Sequence, residues 1–170
     1  ITAFEDTWHW NQTTEHVYQE LVTGANPQVA SMISALRQFI GTNQMMAYLV
    51  MMAVRLVELR RVLKPTGSLY LHCDPTASHY LKILMDAIFE PQNFINEIVW
   101  KRTTAHGDAK QGSRHFGRIH DIILRYAKSA DFTWNPLFIE YEKEFIDSYY
   151  KFIDSDGRRY WKDNVTAAKP

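Results

Sequence analysis

Apolar residues between Gln44 and Leu63 recur at alternating intervals of four and three positions, which is the spacing of one face of an α-helix. The spacing predicts a single helix over 44–63 whose buried stripe consists of six side chains, Met45, Leu49, Met52, Leu56, Leu59 and Leu63, and is widened by Val50, Ala53, Val54 and Val57. Arg55 and Glu58 fall on the remaining face. Methionine at core spacing in a helix usually packs and does not bind ligands, so we interpret the stripe as core.

A short apolar strand follows this helix after the turn sequence Lys64-Pro65-Thr66-Gly67. The segment 68–73 is too continuously apolar for a strand with one wet face, which favours a parallel strand buried on both faces. Its carboxyl end falls at His72-Cys73-Asp74, and ligands of open α/β folds bind at this edge. Asp74-Pro75 is also typical of a helix N-cap followed by proline, so Asp74 is either a pocket residue or a cap.

The remaining pattern predicts the other elements of an α/β fold. Helices are expected at 14–23, 29–40, 76–89 and 141–150, and strands at 94–102 and 118–128. The two strands are expected to form an antiparallel pair that ends in a glycine-containing basic loop, 106–117. Ser155-Asp156-Gly157 predicts a hairpin turn near the end of the sequence.

The composition indicates a folded domain with a core, because 46% of the 170 residues are hydrophobic and 14% are aromatic. The net charge is zero, but the segment 101–118 has a local basic excess: Lys101, Arg102, Lys110, Arg114 and Arg118 stand against Asp108 alone. The single cysteine, Cys73, favours a reducing compartment and a packing role. The histidines lack zinc-site spacing, and the apolar run 45–54 is too short to span a membrane, so we expect neither a metal site nor a membrane segment.

Two tryptophans near the start of the sequence, Trp8 and Trp10, lie in an aromatic and acidic segment without clear periodicity. They are candidates for a lid or for a surface on which a base stacks. The alternative is a loop whose aromatic rings are anchored on the core, and the sequence does not decide between the two.

The ordered set of segments RLVELRRVLKPTGSLYLHCDP, LKILMDAIFEPQNFINEIVWKRT and HFGRIHDIILRYAKS resembles the central part of the β-class DNA amino-methyltransferases. The resemblance extends to FEDTW near the start and to DGRRYWKDN near the end, which is similar to the entry of the target-recognition region in type III-like modification subunits. It implies a Rossmann-like sheet of parallel strands with one antiparallel strand. Residues 1–130 would belong to the methyltransferase domain and residues 131–170 to the start of the target-recognition region.

Two signature motifs of that family are absent from the sequence. The catalytic tetrapeptide, Asp or Asn followed by two prolines and an aromatic residue, has no match: Asp74-Pro75-Thr76-Ala77 lacks the second proline and the aromatic ring, and Asn135-Pro136-Leu137-Phe138 lacks the second proline. The cofactor motif Phe-x-Gly-x-Gly is also missing. No catalytic residue is therefore assigned, and we expect an internal fragment that is inactive alone. The competing hypothesis is a non-catalytic DNA-binding remnant.

The resemblance implies partners and roles. The complete enzyme would transfer a methyl group from S-adenosylmethionine to a flipped base in double-stranded DNA. The favoured target atom is N6 of adenine, and the less favoured one is N4 of cytosine. A restriction subunit or a second copy would be its protein partner, in the cytoplasm of a prokaryote. Trp8, Trp10 and Asp74 would lie near the base, and the basic residues of 101–118 named above would contact phosphates.

Overall fold

The computed structural model describes residues 8–24, 26–103, 114, 116–117 and 119–163. The first part of the chain consists of helices α1 (Gln12–Thr23), α2 (Pro27–Ile40) and α3 (Gln44–Val62), strand β1 (Ser68–Cys73), helix α4 (Pro75–Phe89), a 3₁₀ turn (Pro91–Asn93) and strands β2 (Phe94–Lys101) and β3 (His120–Ala127). The last part consists of helix α5 (Lys143–Tyr149) and strands β4 (Phe152–Ile153) and β5 (Arg159–Tyr160). The predicted helices, strands and hairpin are confirmed, with shifts at their ends.

Side-chain caps set the beginnings of the four long helices. The side chains of Asn11, Asn26, Asn43 and Asp74 each accept a hydrogen bond from a backbone N–H of the first helical turn. Pro27 and Pro75 follow two of these caps, where proline costs no hydrogen bond. Because a cap fixes the first turn, α1 and α2 begin two residues before the positions that the apolar periodicity predicts.

The sheet of the first part has the strand order β1-β3-β2, and both pairings are antiparallel. Leu71 lies opposite Leu124, and Ile98 lies opposite Ile123. The prediction that β1 is a parallel strand is therefore wrong for the described strands. The cause is that β3, which runs back after β2, inserts between β1 and β2, so the partner that β1 has here is antiparallel.

The prediction that β1 is buried on both faces is also wrong. Leu69, Leu71 and Cys73 point to the face that carries the core, together with Leu124 and Tyr126 of β3. Tyr70, which points to the opposite face, is 54% exposed, and His72 on that face is exposed as well. The alternation is that of a strand with one covered face, because helix α4 packs against one side of the sheet only.

The buried face of α3 is rotated relative to the predicted stripe. Leu49 and Leu56 are fully buried as predicted, but Leu59 is 44% exposed, and Met45, Met52 and Leu63 are only partly buried. Val50 and Ala53 are buried as predicted, Val54 is 37% exposed, and Met46 and Ala47 complete the buried face. Helix α4 follows its prediction, with Leu81, Leu84, Met85 and Ile88 buried.

The chain divides into two compact units, the first ending at Thr133 and the second beginning at Trp134. In the second unit the ring of Trp161 lies 5.5 Å from that of Tyr149 and 5.6 Å from that of Tyr150, centroid to centroid, which joins α5 to the hairpin. The guanidinium of Arg159 donates to Asp147 at 2.7 Å. The assignment of residues 131–170 to the start of a target-recognition region stays a prediction. Of the helices in the described part of the chain, none is both long enough and apolar enough to cross a membrane.

Candidate functional site at the carboxyl end of strand β1

Asp74 lies directly after β1 and caps helix α4. Its Oδ1 accepts hydrogen bonds from the backbone N–H groups of Thr76 at 2.9 Å and Ala77 at 3.0 Å. These bonds satisfy two of the donors that a helix leaves open at its start. Of the two alternatives left by the sequence, the cap is confirmed, while the assignment of Asp74 to a pocket stays a prediction.

Cys73, the last residue of β1, is buried with the core. Burial raises the pKa of its thiol to about 11, with smaller contributions from Asp74, Glu97 and Asp121. At neutral pH the group is therefore a neutral thiol, which is a poor nucleophile. The geometry agrees with a small packing residue.

Asp121, at the start of β3, is the residue of this edge that the sequence reasoning did not single out. It is buried, and its two carboxylate oxygens contact two different side chains: Oδ2 lies 3.1 Å from Nε2 of His72 on β1, and Oδ1 accepts from a terminal guanidinium nitrogen of Arg102, the residue after β2, at 3.2 Å. The signal that could have found it is a charged residue placed before the apolar run Ile122-Ile123-Leu124. A carboxylate in that position needs partners, because an unpaired buried charge is costly.

The predicted DNA-contacting residues are only partly described. Lys101 ends β2 and Arg102 follows it, and both are exposed. The backbone N–H of Arg102 donates to the carbonyl of Ile119 at 2.8 Å, which continues the antiparallel pairing beyond β2. Arg114 is exposed, whereas Lys110 and Arg118 lie outside the described residues. The structure thus brings Lys101 and Arg102 to the same end of the sheet as His72 and Asp74.

Trp8 borders a cleft of about 500 Å³ between the start of the described chain and helices α1 and α3. Val17, Val50, Met51 and Val54 form its apolar wall, and Arg55 lies at its rim. The ring of Trp8 is 40% exposed and lies 5.9 Å from that of Tyr48, centroid to centroid. Burial raises the pKa of Tyr48, and the nearby Cys73 and Asp74 add to this shift. Trp8 therefore lies on the side of α3 that approaches the end of β1.

Trp10 points into a different environment. Its Nε1 donates to Glu15 at 3.1 Å, and the guanidinium of Arg37 lies 4.8 Å from its ring centroid and 4.3 Å from that of Tyr18. Arg37 also donates two hydrogen bonds of 2.9 Å to the Glu15 carboxylate. These contacts anchor Trp10 on α1 and α2, as in the alternative interpretation. The lid or stacking role of the two tryptophans stays a prediction.

Histidine, cysteine, aspartate and glutamate side chains are common metal ligands in proteins. In the described parts of the chain, no three of these side chains are close enough together to bind one ion.

Comparison with known proteins gives a consistent picture. A family model described as DNA methylase matches residues 6–166. The chain is 31% identical over 112 residues to the type II methyltransferase M.EcaI of Enterobacter cloacae, which covers 66% of the chain and 24% of that protein. It is 30% identical over 121 residues to the type III restriction-modification enzyme StyLTI Mod subunit of Salmonella typhimurium, covering 70% of the chain and 18% of that protein.

A third relative has a higher identity over a shorter stretch. The type II methyltransferase M.KpnI of Klebsiella pneumoniae is 36% identical over 96 residues, which is 55% of the chain and 22% of that protein. The chain thus spans between 18% and 24% of the length of these three relatives.

Proposed function

The chain belongs to the DNA methylase family, whose model matches residues 6–166, and from this premise we propose that it is the central part of a restriction–modification DNA methyltransferase. The complete enzyme would transfer a methyl group from S-adenosylmethionine to adenine N6 of a flipped base, with cytosine N4 as the second candidate. The match along nearly the whole chain is the observation that carries this proposal. Similarity to methyltransferases of type II and to a Mod subunit of a type III system supports it.

The proposed fold of the complete enzyme is a Rossmann-like sheet that extends beyond the described strands. Within the described part, β1 is hydrogen-bonded to β3 on one edge, and its other edge is open to a further strand. Tyr70 and Trp100 are exposed on the face of the sheet opposite α4. Exposed aromatic side chains of this kind support a second layer contributed by the rest of the enzyme.

The DNA-binding role falls on the basic residues at the end of β2 and in the following loop. Lys101, Arg102 and Arg114 are exposed, and Lys110 and Arg118 belong to the same stretch of sequence. Several lysine and arginine side chains in one stretch bind the phosphates of double-stranded DNA. Such contacts position the protein without reading the base sequence. Trp8 is a better candidate than Trp10 for a position beside the flipped base, because Trp10 contacts Glu15 and Arg37.

The residues of this chain do not fit S-adenosylmethionine by themselves. Asp74, the carboxylate at the end of β1, already accepts from two N–H groups of α4, and Cys73 is buried as a neutral thiol. The sequence also lacks the glycine-rich cofactor motif. We propose that the complete enzyme supplies the cofactor site, and that the chain binds S-adenosylmethionine weakly or not at all.

A restriction subunit or a second copy of the enzyme is the proposed protein partner, in the cytoplasm of a prokaryote. Similarity to Mod subunits of type III restriction-modification enzymes favours the restriction subunit. The competing proposal, a non-catalytic DNA-binding remnant, has the same fold and the same basic residues. The DNA that flanks the reading frame separates the two: codons for the catalytic tetrapeptide upstream and for Phe-x-Gly-x-Gly downstream favour the enzyme, and nearby stop codons on both sides favour the remnant.

Binding of a fluorescently labelled DNA duplex, measured by anisotropy at several salt concentrations, tests the DNA-binding role. We expect binding without sequence preference, and replacement of Lys101, Lys110 and Arg114 by alanine should weaken it and lower the salt slope by roughly one per lost contact. Replacement of Arg61 and Lys64 by alanine, which removes two positive charges, is the control, because Lys64 precedes β1 and lies at the opposite end of the sheet. Equal affinity of all three proteins would contradict the proposal. Calorimetric titration with S-adenosylmethionine tests the cofactor statement, which micromolar affinity would overturn.

A further inference from the structure

Strand β2 forms an open edge of the described sheet. It pairs with β3 along one side, and none of the described strands pairs with its other side. The side chains of Glu97, Val99 and Lys101 are exposed along this strand, Val99 by 62%. The register irregularity between Phe94 and Asn96 limits the regular part of the edge to the residues that follow it. An unpaired strand edge presents a row of N–H and C=O groups that can pair with another chain.

The register of β2 against β3 shows which residues direct their backbone groups away from the sheet. The N–H of Arg102 donates to the carbonyl of Ile119, which continues the pairing of the two strands by one residue. In an antiparallel pair, every second residue bonds to the neighbouring strand, and the residues between direct both backbone groups to the other side. Counted back from Arg102, those residues are Lys101, Val99 and Glu97. Their N–H and C=O groups therefore point out of the described sheet.

A second copy of the chain fits this edge in an antiparallel arrangement. If a two-fold axis passes through Val99, this residue lies opposite Val99 of the partner subunit. Glu97 then lies opposite Lys101 of the partner subunit, and Lys101 lies opposite Glu97 of the partner subunit. All three opposed pairs have outward-pointing backbone groups, so together they exchange roughly six hydrogen bonds. Glu97 and Lys101 also share one face of the strand, because alternate residues do. Two cross-strand pairs of opposite charge therefore form on this face.

The charges of the edge favour this arrangement over its alternatives. An axis through Glu97 places two glutamates opposite each other, and an axis through Lys101 places two lysines opposite each other, which is destabilising. A register that places Glu97 opposite Val99 leaves Lys101 without a partner of opposite charge. The edge is thus self-complementary, as a two-fold interface between identical subunits requires. This complementarity identifies a second copy as the occupant of the edge.

We propose that β2 pairs with β2 of a second copy, so that two three-stranded sheets join into one. The inference rests on the second copy as a proposed protein partner and adds the surface at which the copies meet. In the dimer Lys101 is neutralised by Glu97 of the partner subunit, so phosphate binding falls to the other basic residues of the stretch 101–118. One strand from each copy makes a contact smaller than the standard interface of about 1,600 Å². The dimer therefore dissociates on dilution, in the micromolar range.

Sedimentation velocity of the 170-residue chain, without DNA and over a series of concentrations, measures the association. We expect a reversible equilibrium between monomer and dimer. Glu97→Lys and Lys101→Glu each place like charges opposite each other, and each should weaken association by roughly tenfold or more. The variant that combines the two exchanges restores opposite charges and should restore the dimer. Glu58→Lys makes the same change of net charge as Glu97→Lys at an exposed position of α3, and should associate as the unaltered chain does.

Replacements at Val99 and Glu97 test the position of the axis. Val99→Pro removes an N–H that points out of the sheet, so the bonds between β2 and β3 should stay in place while the dimer is lost. Circular dichroism checks the fold of this variant. Val99→Cys places two thiols opposite each other, with Cα atoms about 5.5 Å apart, which a disulfide spans. Glu97→Cys places the two thiols more than about 13 Å apart. Mild oxidation should therefore give a covalent dimer with Val99→Cys and not with Glu97→Cys.

A chain that stays monomeric at all concentrations would overturn the inference. A dimer that survives both single charge exchanges would also overturn it, because its interface would lie elsewhere on the molecule. The charge variants keep the test decisive if Val99→Pro impairs folding. Duplex binding is measured separately. If the dimer forms as described and the unaltered chain does not bind DNA, the proposed DNA-binding function fails and the interface stands.

Discussion

The hydroxyl of Tyr126 donates a hydrogen bond of 2.6 Å to Oδ1 of Asp86, which links the central strand β3 to helix α4. Lys82, one turn before Asp86, completes the link: its ammonium group pairs with the Asp86 carboxylate at 2.8 Å and lies 4.4 Å from the centroid of the Phe94 ring. Strands β2 and β3 and helix α4 are thus connected through a small polar group at the edge of an apolar core. The position of α4 in turn fixes Asp74, which begins that helix.

Replacing Tyr126 by phenylalanine should therefore destabilise the protein. The ring would stay buried, but Asp86 would lose its hydroxyl donor and keep Lys82 as its remaining partner, and the loss of one such hydrogen bond to a charged acceptor costs about 1.5–3 kcal/mol. Burial, and next the hydrogen bond to Asp86, raise the pKa of Tyr126. Urea unfolding followed by circular dichroism measures the change, and Tyr70→Phe, on the exposed face of β1, is the control with no expected effect. Equal stability of the two variants would contradict this account of the link.

The sequence predicted the order and type of the elements because their signals are local. Asn43 and Asp74 cap helices through atoms within three residues of themselves, and the α4 face at Leu81, Leu84 and Met85 follows from periodicity alone. The partner of β1 could not be predicted, since insertion of β3 between β1 and β2 is a tertiary event. For the same reason, the apolar composition of β1 suggested two buried faces where Tyr70 is exposed.

The location of the candidate site could be predicted from the sequence, but not all of its residues could. The carboxyl end of β1 follows from a general rule for α/β sheets, and the basic excess after Trp100 is visible in the composition. The connection between His72 and Asp121 spans 49 positions, and only the register of β1 against β3 brings these two residues together. The sequence alone does not distinguish the environments of Trp8 and Trp10. The two environments differ because Trp10 contacts Arg37, which lies on α2.

The two tryptophans should respond differently to replacement by alanine. Trp10→Ala removes a hydrogen bond to Glu15 and a stacking partner of Arg37, and should cost on the order of 2 kcal/mol of stability. Trp8→Ala removes a ring that is 40% exposed, so its effect on stability should be smaller, while its effect on DNA binding should be larger. Thermal unfolding and duplex binding of the two variants form the measurement. The opposite ranking on both scales would argue that Trp8 is the anchor.

The pair Glu15 and Arg37 should contribute to the acid dependence of folding. The hydrogen bonds from Arg37 hold the pKa of Glu15 below its usual value of 4.5, with further contributions from Gln19 and Trp10. A carboxylate with a lowered pKa in the folded state contributes stability above its ordinary pKa, and this contribution is lost as the pH falls through the lowered value. Glu15→Gln should therefore be less stable than the unaltered protein at pH 7, and the difference should narrow toward pH 3. Thermal unfolding at a series of pH values measures this, with Glu58→Gln, whose pair with Arg61 is exposed, as the control. A constant difference across the range would show that the charge of Glu15 is not what stabilises the fold.

Cys73 should behave as a protected thiol although it lies next to the candidate site. Its pKa is raised by burial to about 11 from the ordinary value of 9.0, so at pH 8 the folded protein should have roughly a hundredfold less thiolate than the unfolded chain. Labelling by iodoacetamide should be slow in buffer and fast in urea. Because the folded state holds this proton more tightly, stability should fall as the pH rises from 9 toward 11, and Cys73→Ala should remove part of that fall. Tyr126, whose pKa is also raised, accounts for a remaining part. Rapid labelling of the folded protein would contradict the packing role of Cys73.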